Sequence, residues 1–119
     1  MNKALTIKNQ RYESTIKKII TNIIFTEIYD STIKMATITD VKLTNDKSIV
    51  KIFVDCYDKI HIDKLLKKIN GAAGYFRSGL ARELNWRKTP QVIFVKDSSR
   101  EKYEEVDQLI KIWKEKNNE

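Results

Sequence analysis

Residues 61–84 read HIDKLLKKINGAAGYFRSGLAREL, and the interpretation of this stretch decides the fold. Apolar residues recur along it at Ile62, Leu65, Leu66, Ile69, Ala73, Phe76, Leu80 and Leu84. Steps of three and four residues make one stripe, as in a helix with one buried face. All three glycines of the chain interrupt that stripe, at Gly71, Gly74 and Gly79. Each helix-interior glycine costs about 1 kcal/mol relative to alanine. Their crowding predicts two helices with a kink near Gly71–Gly74 instead of one long helix. At such a kink Gly74 is expected to have no room for a larger side chain, whereas Gly71 should accept alanine. The same four residues, Gly71-Ala72-Ala73-Gly74, spell G-x-x-G between two helices, where a KH domain clamps four nucleotides. Ala72 and Ala73 supply no cation, so a phosphate there would meet only backbone N–H groups.

Upstream, residues 48–56 alternate, with Val50, Ile52, Val54 and Cys56 expected to face in and Lys51 and Asp55 out. Residues 35–44 read as a partner strand, but Ala36 and Ile38 differ in parity from Val41 and Leu43. A bulge around Thr39-Asp40 would reconcile the two phases. Asn45-Asp46-Lys47 between the strands is good hairpin-loop chemistry. Residues 9–28 predict a first helix from Tyr12, Ile16, Ile19, Ile20, Ile23 and Ile28, stopping near Tyr29-Asp30-Ser31. Downstream, Pro90 blocks helix, and Val92-Ile93-Phe94-Val95 reads as a buried strand. Ser98 and Glu101 form a capping box for a closing helix with Val106, Leu109, Ile110 and Trp113 on its apolar side. The expected fold is α+β, in the order α-β-β-α-(kink)-α-β with a further C-terminal helix, in a single domain over residues 1–119 with its core at about 5–115.

The chain has 23 Lys and Arg against 16 Asp and Glu, a formal net charge of +7. A small domain with that balance attracts polyanions through counterion release. Only five residues are arginine, and Arg77, Arg82 and Arg87 fall within one short stretch. With Lys64, Lys67, Lys68 and Lys88 they form a candidate phosphate-binding set around the helix pair. Tyr75 and Trp86 are interleaved with them, either as stacking platforms or as core and rim packing.

Enzyme chemistry has little to work with. Cys56 is the single cysteine and His61 the single histidine, whereas a zinc site wants about four such ligands. Cys56 reads as a strand-core residue and His61 as a residue near a helix start. No Walker-type loop or dinucleotide fingerprint occurs. No cofactor, metal or catalytic residue is expected. The lone cysteine suits a reducing compartment, and the chain lacks an apolar run long enough to span a membrane, so the cytoplasm is the expected location.

Thr37-Ile38-Thr39-Asp40-Val41-Lys42-Leu43-Thr44, the hairpin into Val50-Lys51-Ile52-Phe53-Val54, and Ala72-Ala73-Gly74 followed by Phe76-Arg77 together resemble the ribosome-binding factor A family. Leu80, Leu84, Arg87, Thr89-Pro90, Phe94, Asp97-Ser98, Val106 and Leu109 extend the resemblance over nearly the whole chain. It implies a type II KH-like fold in which a kinked helix pair, turning at Ala72, Ala73 and Gly74, replaces the KH loop. It also implies binding to the immature 30S subunit and its 16S rRNA, support of rRNA processing and cold adaptation, and no catalysis; the chain itself is expected to be a monomer. One departure stands out. Where many members carry an Asp-Pro-Arg-like turn, this chain has Tyr29-Asp30-Ser31-Thr32-Ile33. Two rival readings share the element order: a BolA-like iron–sulfur partner of a glutaredoxin using Cys56 and His61, and a general single-strand RNA-binding KH protein.

Overall fold

The computed structural model describes residues 3–97, with side chains from Asn9 onward. The elements are α1 (Lys3–Thr26), β1 (Ala36–Leu43), β2 (Ile49–Cys56), α2 (Ile62–Gly71), α3 (Ala73–Leu84) and β3 (Gln91–Lys96). Short 3-10 turns at Ile33–Met35 and Lys59–His61 precede β1 and α2. The predicted order is therefore present, although α1 begins earlier than residue 9 and ends at Thr26. The expected closing helix from Ser98 lies outside the described residues.

The sheet order is β1-β2-β3, with β1 antiparallel and β3 parallel to the central strand. Parallel strands need a long crossover, and the α2–α3 pair provides it. The β1–β2 register shifts between Ile38 and Asp40, the bulge that the change of parity predicts. It turns both Ile38 and Val41 toward the core, although they are an odd number of residues apart. Val50, Ile52, Val54 and Cys56 face in as expected, joined by Val92 and Phe94 of β3. Over them lie Ile16, Ile20, Ile23, Ile24 and Ile28 of α1 and its exit, and Leu65, Ile69, Phe76 and Leu80 of the helix pair. Ile19 and Tyr12 are only half-buried at the margin of the α1 stripe.

The helix pair breaks at a single residue. Ala72 has φ −97° and ψ 9°, and it closes α2 while opening α3. Its N–H donates to the carbonyls of Lys68 (3.2 Å) and Ile69 (3.1 Å), and its own carbonyl accepts from Tyr75 and Phe76. This is a kink and not a protruding loop. Gly71 and Gly74 lie inside the two helices, and no glycine has a positive φ.

The expected crowding at Gly74 is not found: a Cβ added there, or at Gly71, meets nothing within 4 Å. The close approach is one turn later. Gly79 is buried in α3, and a Cβ there would run into Cδ1 of Ile23 on α1. Gly71→Ala and Gly74→Ala are each expected to stabilise the fold by about 0.4–1 kcal/mol, because the backbone is ordinary and the space open. Gly79→Val is expected to be the least favourable of the three, because the Cδ1 methyl at the end of Ile23 must rotate aside to admit it. Thermal melts of the three variants check the ranking; a Gly74→Ala variant that melts below Gly79→Val would reject it.

Both edges of the sheet are gripped by helix side chains. The Asn70 carboxamide donates to the Phe94 carbonyl and accepts from the Phe94 N–H, both at 2.9 Å. On the far edge, Glu13 of α1 accepts from the Leu43 N–H at 2.7 Å. Pairing these outward backbone groups removes part of the template that an open edge offers to another strand.

Candidate nucleic-acid interface

The seven candidate cations do not share one environment. Lys64 and Lys67 are exposed on α2, with no ion-pair partner among the described residues. Lys68, one helical position on, reaches Asp30 at 3.4 Å. Arg82 of α3 pairs with Glu27 at 3.2 Å, and Glu27 also accepts from the Tyr75 hydroxyl at 2.7 Å. Two of the cations, and the aromatic Tyr75, thus tie the helix pair to the exit of α1. Arg77 donates to the Thr89 carbonyl at 3.2 Å, anchoring α3 to the segment before buried Pro90. That bond leaves its charge uncompensated.

Arg87 and Lys88 belong to a different neighbourhood. Asn85 ends α3 in a left-handed conformation (φ 54°) and turns Trp86 back toward α1. Trp86 meets Tyr12 edge-on, with ring centroids 4.9 Å apart and planes at 77°. The β1–β2 hairpin comes up beside them. Lys47, at φ 60° in its tip, places Nζ 4.7 Å from the Tyr12 ring and 5.7 Å from the Trp86 ring. A cation over a ring face is drawn to the negative centre of its quadrupole. Lys47 and Tyr12 are absent from the sequence-based set. Lys47 reads there as turn chemistry and Tyr12 as part of the α1 stripe. Only the folded chain brings them to Trp86.

Electrostatic shifts concentrate in the acids that hold these elements. Hydrogen bonds from Tyr75 and then Arg82 keep Glu27 below its ordinary pKa of 4.5. Asp30 is lowered chiefly by the Ile33 N–H, then by the Thr32 N–H and Lys68. Asp46 is lowered first by the Ser48 hydroxyl, within the hairpin turn. A carboxylate with a depressed folded pKa contributes stability above its unfolded pKa, and that contribution is lost as pH falls through the folded value. Stability is therefore expected to decline on acidification below about pH 4.5, and Glu27→Gln to make the decline shallower. Acid unfolding followed by circular dichroism checks this; an identical acid limb in the variant would exclude Glu27 as a contributor.

Cys56 is 1% exposed and faces the core, while His61 is exposed and holds Asp58 through Nδ1 at 2.9 Å. A thiolate ligand would have to leave the core to reach solvent. The strand-core reading of Cys56 holds, and no group of three potential metal ligands occurs among the described residues.

A family profile described as ribosome-binding factor A matches residues 8–110. The chain belongs to that family. A ribosome-binding factor A from Malacoplasma penetrans is 51% identical over 104 residues, covering 87% of this chain and 90% of the relative. The crystal structure of ribosome-binding factor A from Thermus thermophilus superposes with a TM-score of 0.68 at 20% identity, over 74% of this chain and 93% of that one. A homology model of the Thermus thermophilus factor, fitted into the electron-microscopy map of its complex with 30S, gives a TM-score of 0.58 at 20% identity. It covers 70% of this chain and 88% of that one. These ribosome-binding factor A structures share the KH-like fold of this chain.

Proposed function

We propose that this chain is a non-catalytic assembly factor that binds the 30S subunit through 16S rRNA and supports late rRNA maturation, acting as a cytoplasmic monomer. Family membership supports this class. The observation that carries the RNA contact is the surviving cationic surface: Lys64, Lys67, Arg77, Arg87 and Lys88 stay exposed and without an acidic partner among the described residues. On a chain of net charge +7 such groups neutralise phosphates and release counterions. The complex with 30S described for the Thermus factor supports the choice of partner.

Binding as a general KH protein is less well supported. A KH clamp presents a loop between its helices, and here a single residue joins them with its N–H already bonded within α2. No described helix is long and apolar enough to cross a membrane. Sucrose-gradient sedimentation of the tagged chain in lysate tests the proposal. The expected result is co-sedimentation with free small subunits and little with assembled ribosomes. Recovery only at the top of the gradient at low salt would overturn it.

A further inference from the structure

The hairpin end of the molecule holds an open cleft of about 480 Å³ between Tyr12, Lys47, Trp86, Arg87 and Lys88. That size lies in the roughly 300–1,000 Å³ range of sites for small organic groups. Its chemistry is unusual for a surface depression. Two aromatic rings form one wall, and three cations stand around it. Asp46 also borders the cleft, but its Oδ1 accepts from Thr44 Oγ1 (2.8 Å), Ser48 N–H (3.1 Å) and Ser48 Oγ (2.7 Å). That carboxylate is committed to the hairpin turn and has no ion pair with the three cations. Its single negative charge is outnumbered by the three cations, so the lining is positive on balance.

We infer that this cleft receives one unpaired ribonucleotide, its base stacked against Trp86 and its phosphate held by Lys47, Arg87 and Lys88. The inference rests on the RNA-binding reading above and names the part of the chain that reads single strands. A base has a flat π-face of the kind an indole ring accepts, and such stacking tolerates any sequence. Lys47 is half-buried and now occupies the ring faces through a cation–π contact. Its four-carbon stem lets the ammonium swing from the rings to the incoming phosphate, and the base then takes the place of the cation on the ring face. Duplex RNA cannot use the cleft, because its bases are already stacked on one another.

The test uses the full chain carrying Trp113→Phe, which leaves Trp86 as the single tryptophan. The probes are hexauridylate and an RNA duplex. Hexauridylate is expected to quench Trp86 emission with a salt-dependent midpoint, and duplex to leave it unchanged. Trp86→Leu is expected to weaken hexauridylate binding by roughly 5- to 150-fold, the range for loss of one base–aromatic stack. Trp86→Phe retains a ring and should recover most of the affinity, which separates stacking from misfolding. If hexauridylate binds but Trp86 emission stays constant and Trp86→Leu binds like the parent, the cleft assignment is wrong and the RNA-binding reading stands. Failure to bind either RNA, or small subunits, overturns both.

Discussion

Replacing Phe76 with alanine is expected to lower folding stability by about 3–5 kcal/mol. Phe76 is 0% exposed and lies in the first turn of α3, just past the Ala72 junction. Its ring meets Phe94 of β3 edge-on, with centroids 5.0 Å apart. Truncation removes the buried ring and leaves a void that the flanking helix and strand can only partly close. Typical domains are stable by about 5–15 kcal/mol, so the variant should be marginal. Phe76→Leu keeps most of the volume and should cost far less. Urea unfolding read by circular dichroism checks both; a midpoint shift worth less than about 1 kcal/mol for Phe76→Ala would mean that α3 is not anchored through this ring pair.

Joint substitution of Lys64, Lys67, Arg87 and Lys88 by alanine should flatten the dependence of log affinity on log salt, measured with small subunits. The slope should fall by about 0.7–0.9 for each phosphate that is no longer neutralised. Substitution of Lys68 and Arg82 should change it much less, because Asp30 and Glu27 already compensate those charges. Filter binding at several salt concentrations compares the two sets. A larger drop in slope from the Lys68 and Arg82 pair would show that these ion pairs open on binding and that the exposed set is a bystander.

Element order, the bulge after Ile38 and the break at Ala72 were legible in the sequence because they are local, and each leaves a trace in periodicity or in a change of parity. Interactions between distant segments leave no such trace. Lys68 and Arg82 read as free cations because their acids lie 38 and 55 residues away. Gly74 stands in the conspicuous tetrad, yet the helix crossing belongs to Gly79, whose partner Ile23 is on another helix. The Trp86 cleft needs three segments that meet only after the sheet has formed: the first half of α1, the hairpin tip and the turn into β3.

The Asn70 carboxamide that grips Phe94 is followed directly by Gly71, and Asn-Gly is the pair most prone to spontaneous deamidation. That reaction needs the Gly71 nitrogen to attack the Asn70 side-chain carbonyl, whose oxygen and nitrogen are here both fastened to a strand. Folding thus sets the chemical shelf life of this bond. Loss of the amide nitrogen would put a carboxylate against the Phe94 carbonyl, converting an attraction into a repulsion at the sheet edge. The helix must first unwind there for the reaction to begin, so slow accumulation of isoaspartate and aspartate at position 70 would act as a clock counting the local openings of α2.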